Sequence, residues 1–174
     1  FVKQTVRGSR AQLRQLAEHT NKTIDYRHGQ QVGKSHSIAV VPTGMVAKPQ
    51  IKTERQRIVV LLPNTATIND QAVQQQIRDA VAKVLRREAK AYLPRRLSTL
   101  ATTNGFHYER VRFSHSGGRW GSCSSAGTIS LNIALMKLPH ELIDYVLIHE
   151  LCHTRHMNHS PAFWSEVARY DPHY

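Results

Sequence analysis

Two histidines four residues apart with a glutamate beside the first, His149-Glu150-Leu151-Cys152-His153, are the residues whose types and spacing most directly suggest chemistry. On a helix, positions i and i+4 share a face, so both imidazoles aim at one point. Glu150, about 100° round the axis, reaches the edge of that face. Hydrolysis at zinc asks for neutral nitrogen ligands, an open position for water, and a carboxylate that lies beside that water without being a ligand. His149, His153 and Glu150 supply all of this but one ligand, and two residues compete to provide it. His156 falls on the same face if the helix continues, but it then sits roughly 10 Å along the axis from His149, at about 1.5 Å per residue. Bonds of about 2.0 to 2.1 Å do not converge comfortably from there. His159 requires the chain to turn back. Asn158 tolerates a left-handed conformation and Pro161 follows, so a helix stop near Met157 is expected and His159 is the preferred third ligand.

The elements that must position these residues can be read outward from them. Leu142-Ile143, Val146-Leu147-Ile148 and Leu151 predict an apolar helix that buries its back. Pro139 starts it where no N–H is needed, and Glu141 sits in its first turn, where the dipole favours an acid. After His159, Ser160 caps a last helix through Phe163, Trp164 and Val167, whose aromatics brace the loop carrying His159. Before the metal-site helix, Arg119-Trp120-Gly121-Ser122-Cys123 and the alternating Thr128-Ile129-Ser130-Leu131-Asn132-Ile133 flank a Ser125-Ala126-Gly127 turn and predict a hairpin. It is the candidate edge for an extended substrate. Arg119 is read as an oxyanion donor or as a salt bridge locking the hairpin, and Trp120 as core or as a specificity wall. Asn132 either bonds a ligand histidine or holds the strand end, and Cys123 lies near the metal without being counted as a ligand.

Further upstream, Ser9 is expected to cap a short helix ending before Asn21, with Leu13, Leu16 and Ala17 on one side and no readable function. Strands are expected over Thr23–His28, Ser35–Val41 and Gln56–Leu62, the last buried on both faces, in an antiparallel or mixed sheet. Asn69 or Asp70 opens a long helix through Val73, Ile77, Val81, Val84 and Leu85. Pro94 is expected to interrupt it, with the pattern resuming at Leu97 until Asn104-Gly105. Phe106–Phe113 reads as a strand. The organisation is α+β, with a small basic β-rich N-terminal subdomain over 1–66 and a catalytic domain over 67–174 made of long helix, β-hairpin and active-site helix.

At 174 residues with 40% hydrophobic content, the chain can bury a real core. No apolar run approaches the length of a membrane span. The two cysteines, Cys123 and Cys152, lack C-x-x-C spacing and read as free thiols in a reducing cytoplasm. The formal net charge of +12 is unevenly placed: 11 Lys/Arg against 3 Asp/Glu in 1–62, 9 against 4 in 63–113, and 4 against 5 in 114–174. The basic part is either a platform for nucleic acid or nucleotide phosphates, or a solvated surface.

Arg119-Trp120-Gly121-Ser122-Cys123, Leu131-Asn132, the Pro139 helix, His149-Glu150-Leu151-Cys152-His153 and Asn158-His159-Ser160-Pro161-Ala162-Phe163-Trp164 together resemble the YgjP-like family of predicted metal-dependent hydrolases, related to the SprT-like and WLM zinc peptidases. The resemblance implies a zincin-like metallopeptidase fold, one zinc ion on His149, His153 and His159, and Glu150 as catalytic carboxylate. The histidine spacing is also similar to the metzincins, but His156 stands where that pattern has glycine, and no later methionine forms a Met-turn. Both peptidase-like and nucleotide pyrophosphohydrolase activities are attributed to the family, so the expected substrate is a peptide or a nucleoside triphosphate. The non-enzymatic alternative, a basic module with a structural metal, lacks the four-ligand, cysteine-rich shell such sites use.

Overall fold

The computed structural model describes residues 8–20 and 25–174. The first helix, α1 (Ser9–Thr20), starts on the carbonyl of Gly8, which accepts from Ala11 N and Gln12 N. Ser9 does not cap it with its side chain. Its hydroxyl donates to Asp171 Oδ2 at 2.9 Å and its N–H to the carbonyl of His173 at 3.1 Å, so the start of α1 is tied to the last residues of the chain.

Four strands follow: β1 (Gln31–Val32), β2 (His36–Pro42), β3 (Gln50–Glu54) and β4 (Arg57–Leu62), in the order β1-β2-β4-β3. β2 runs parallel to β4 over Ser37–Pro42 and Arg57–Leu62, and the other two pairs are antiparallel. The mixed sheet was expected, but β1 and β3 were not. β1 is too short to show a period, and the polar run Gln50–Glu54 lies at the sheet edge, with only Ile51 less than fully exposed. Of the strand expected over Thr23–His28, Thr23 and Ile24 lie outside the described residues, and Asp25–His28 is loop. β4 is not buried on both faces: Ile58, Val60 and Leu62 are buried, while Val59 and Leu61 are half-buried on the other side.

α2 (Gln71–Asn104) is one helix of 34 residues that runs through Pro94 and ends on Gly105 at φ 68°. Proline inside a helix costs about 3 kcal/mol or more. The buried stripe keeps its phase across it, with Leu85, Ala89, Leu93, Leu97 and Ala101 all in the core, and burying one leucine contributes about 1.5 to 3 kcal/mol. Packing on both sides of Pro94 therefore outweighs the lost backbone bond. α2 touches both sheets and the metal-site helix, and so orients everything downstream.

The second sheet holds β5 (Arg110–Ser114), β6 (Gly121–Cys123) and β7 (Thr128–Asn132) in the order β5-β7-β6, with β7 parallel to β5 and antiparallel to β6. The alternating arm of the hairpin is central, with Ile129 and Leu131 fully buried, and β6 is an edge. A 3₁₀ turn over Ile133–Lys137 leads into α3 (His140–His153), and a loop into α4 (Pro161–Tyr170), capped by Ser160, whose Oγ accepts from Phe163 N. Arg96 on α2 grips Asp144 on α3 with two hydrogen bonds of 2.8 and 2.7 Å. None of the described helices is long and apolar enough to cross a membrane.

One polar contact fixes α2 against the first sheet. Glu88 accepts from Lys34 N at 2.7 Å, from Ser35 N at 3.2 Å and from Ser35 Oγ at 2.9 Å, and pairs with His36 Nδ1 at 2.9 Å. Gly33, at φ 59°, leaves room for that carboxylate, since a Cβ there would meet Oε2 at 2.1 Å. Burial alone would raise the Glu88 carboxyl, but these donors hold it below the usual carboxylate range. A depressed folded pKa contributes stability above the unfolded value and loses it as pH falls through the folded one. Glu88→Gln is therefore expected to cost about 1.5 to 3 kcal/mol at pH 7, with the gap closing below about pH 4, near the unfolded carboxylate value. Denaturant unfolding at the two pH values checks this, and equal midpoints at pH 7 would contradict it.

Candidate active site

α3 is apolar on nearly every side, with Leu142, Ile143, Leu147 and Leu151 in the core, and only its C-terminal turns present polar groups to a cleft. The helix ends at His153, four residues before the expected stop. Thr154 Oγ1 donates to the carbonyl of Leu151 at 2.6 Å, which answers one of the last orphan acceptors. Arg155 then carries the chain away from the helix axis. Its guanidinium lies 4.1 Å over the Phe106 ring, donates to Gly105 O at 2.6 Å and pairs with Glu166 on α4. The loop is thus clamped between the end of α2 and α4.

That early turn brings three imidazoles together. One nitrogen from each of His149, His153 and His159 lies within 4.8 Å of the others, and His149 Nε2 and His159 Nε2 are 3.3 Å apart. His156 contributes its backbone instead of its ring: its carbonyl lies 3.0 Å from His153 Nδ1, so that nitrogen donates and Nε2 carries the lone pair. α4 supports the rings from below. Phe163 is fully buried and stacks on His153 at 4.4 Å, while Trp164 stacks on His159 at 5.5 Å. Burial, with His153, His159 and Arg10 nearby, pushes His149 down to about 3. Burial also lowers His153, against the pull of the His156 carbonyl. Both rings are neutral at neutral pH, which is the ligand form.

Glu150 lies beside them at 5% exposure, and burial pushes its carboxyl up to about 8. Among the described residues, neither its Oε2 nor His149 Nδ1 has a hydrogen-bond partner. Its packing partner is the backbone of β6: a Cβ on Gly121 would meet Glu150 Oε1 at 2.7 Å and Cγ at 2.9 Å. Reasoning from sequence assigned Gly121 no role, although a glycine inside a strand often marks such a close approach.

These residues fit a zinc ion. Tetrahedral bonds of about 2.0 to 2.1 Å put ligand nitrogens about 3.3 to 3.4 Å apart, and the His149 to His159 separation is 3.3 Å. The donors are three imidazoles, two of them kept neutral by burial, and a buried carboxylate with an unpartnered oxygen gains most from a nearby cation.

The cluster opens into a cleft of about 580 Å³. Arg119 and Trp120 line it together with His149, Glu150 and His159. Arg119 forms no ion pair among the described residues, so the salt-bridge reading of it has no counterpart here. Trp120 is half-buried and packs on the core while facing the cleft. Asn132 does not reach the histidines. Its Nδ2 donates to Ser116 O and Arg119 O, both at 2.8 Å, and its Oδ1 accepts from Ala134 N, so it shapes the loop that carries Arg119. Cys123 and Cys152 are both free thiols, and burial, with the Glu150 charge, pushes Cys123 up to about 11. The far wall comes from α1, through Arg10, Leu13, Arg14 and Ala17, a helix whose sequence carried no functional signal.

The family model of the YgjP-like, metallopeptidase domain matches residues 2–174. Among solved structures, the crystal structure of the metallopeptidase zymogen of Pyrococcus abyssi abylysin is similar at 31% identity, covering 44% of this chain and 76% of that chain, with a TM-score of 0.40. None of the curated proteins matches.

The different placements of His156 and His159 generate a prediction. His159→Ala is expected to lose tightly bound zinc. His156→Ala keeps the carbonyl that orients His153, so its zinc affinity should fall by no more than the roughly 10- to 100-fold of an orienting group. Zinc titration of the two variants against a chelating dye checks this, and the reverse order would contradict it.

Proposed function

Because the chain belongs to the YgjP-like metallopeptidase family, we propose that it hydrolyses peptide bonds with one zinc ion on His149, His153 and His159 and with Glu150 as the catalytic carboxylate. The observation that carries this reading is the convergence of three imidazole nitrogens within 4.8 Å beside a buried carboxylate that has a free oxygen. When bound, the ion supplies a Lewis acid that polarises a carbonyl and makes water acidic near neutral pH.

The protein's own groups do the rest. Glu150, sunk between α3 and the β6 backbone, accepts the proton of the attacking water at a carboxylate oxygen and passes it to the leaving nitrogen. A high carboxyl pKa suits that return step, because the acid form must exist long enough to donate. Phe163 backs the imidazoles from the core, and Trp164 stacks on His159 while lining the cleft beside it. β6, at the sheet edge next to Glu150, offers backbone groups to an extended peptide, which would lie across the site as an added strand. Arg119 stands on the same wall and is the candidate donor to the developing oxyanion.

In this reading residues 67–174 form the catalytic domain, and 1–66 the basic β-rich subdomain from which α1 reaches over the cleft. Two free thiols fit a reducing, cytoplasmic setting.

Glu150→Gln keeps size and shape and removes the proton acceptor alone. Zinc per chain and melting temperature should stay near wild type, while turnover of a peptide substrate falls by roughly 10² to 10⁴. Gly121→Ala should also keep zinc and lose turnover, because its methyl displaces the carboxylate without removing it. All three quantities are measured on one preparation. A Glu150→Gln protein that loses its zinc, or that keeps full activity, overturns the role.

A further inference from the structure

The wall of the cleft that faces the histidines is built from one side of α1. Arg10 and Arg14 lie one helical turn apart, with Leu13 and Ala17 between and beyond them, and all four line the cleft. Arg119 comes from the opposite side, on the loop before β6. Three guanidinium groups therefore border one space, and among the described residues that line it the only carboxylate is Glu150, which is sunk beside the imidazoles at 5% exposure.

None of the three arginines makes an ion pair with a carboxylate among the described residues. Two other arginines do: Arg96 holds Asp144, and Arg155 holds Glu166. Arg10 is also fixed in position, with its guanidinium 4.3 Å over the Trp164 ring, and Trp164 in turn is stacked between His159 and Tyr174. An adjoining cavity of about 240 Å³ shares Ala17, Arg119 and Trp120 with the cleft, and its lining adds Lys137 and no acid.

Like charges gathered around one cleft repel one another unless an anion lies between them, and planar guanidinium forks match a carboxylate in particular. We propose that Arg10 and Arg14 of α1, with Arg119, form a carboxylate-recognising subsite, so that the favoured substrate is a peptide carrying an acidic side chain or a free C-terminus close to the bond that is cut. This rests on the peptidase reading above and adds to it which peptides are taken. It gives α1 a purpose that its packing alone does not: the helix is tied to the C-terminal residues by Ser9, through Asp171 and His173, and so holds its arginines at a fixed height over the histidines.

The experiment uses the full chain loaded with zinc and a set of quenched fluorescent peptides. These differ by Glu, Gln or Lys at each position around the cleaved bond, each with a free and an amidated C-terminus. The expected result is that kcat/KM for Glu exceeds that for Gln by about 10-fold or more at one position, or that the free C-terminus exceeds the amide by as much, which identifies the source of the carboxylate. Arg14→Glu, a change on an exposed helix surface verified by an unchanged melting temperature, should shift the Glu-to-Lys ratio at that position by about 10-fold or more toward Lys. Equal kcat/KM for Glu, Gln and Lys peptides and for both C-termini, in a protein that does cut peptides, overturns the subsite and leaves the peptidase reading standing. Turnover of nucleoside triphosphates with no peptide cut overturns the peptidase reading and the peptide carboxylate with it. An Arg14→Glu protein with an unchanged Glu-to-Lys ratio removes α1 from recognition.

Discussion

The arrangement depends on a buried carboxylate that has no counter-charge of its own. Glu150 is pressed between α3 and the backbone of β6, with one oxygen unpartnered among the described residues and its carboxyl pushed up to about 8 by burial. Three imidazoles stand beside it, and burial drives His149 down to about 3. Glu150 and His149 are thus held by the same burial in their neutral forms, because burial is unfavourable for each charge separately. A divalent cation at the imidazole nitrogens keeps histidine neutral and reverses the preference of the glutamate, favouring its ionised form. The proposed zinc would therefore complete the electrostatics of a site that the chain has already folded around.

The rest of the molecule keeps those groups at the right separations. α2 spans both sheets and grips α3 through Arg96 and Asp144, which sets the height of the histidine helix. Arg155 ends that helix early and ties the following loop to Gly105 and Glu166, so that His159 can return to within 3.3 Å of His149. Phe163 then occupies the space behind the rings, and Trp164 stacks on His159 at the cleft. Gly121 is the same idea in negative form, because the absence of a side chain lets β6 come close enough to seal Glu150 from one side.

Much of the site was legible because its signals are local. The i, i+4 histidines, Ser160 with Pro161, and the alternation of Ile129 and Leu131 each follow from the period of one element. What was not legible depends on contacts between distant segments. Pro94 was expected to break α2, but the buried stripe on both sides of it holds the helix together. The stop at His153 is set by Arg155 meeting residues about fifty positions earlier, which no local pattern encodes. Asn132 was read as reaching a histidine or holding the strand end, and its amide holds the Ser116 to Arg119 loop. α1 has an ordinary amphipathic pattern, and only the fold shows that two of its arginines face histidines more than 130 positions away. Two strands escaped for a simpler reason: β1 is two residues long and β3 is mostly polar at a sheet edge.

The central claim is that three histidines, and no cysteine, hold one zinc ion with a position left open beside Glu150. X-ray absorption at the zinc K-edge of the zinc-loaded protein tests it without requiring a substrate. The account predicts three nitrogen scatterers at about 2.0 to 2.1 Å, accompanied by the more distant outer-shell features of imidazole, and a further light scatterer from water. A sulfur shell at about 2.3 Å would bring Cys123 into the coordination, and a fourth imidazole would close the shell. Either result would contradict an open catalytic site.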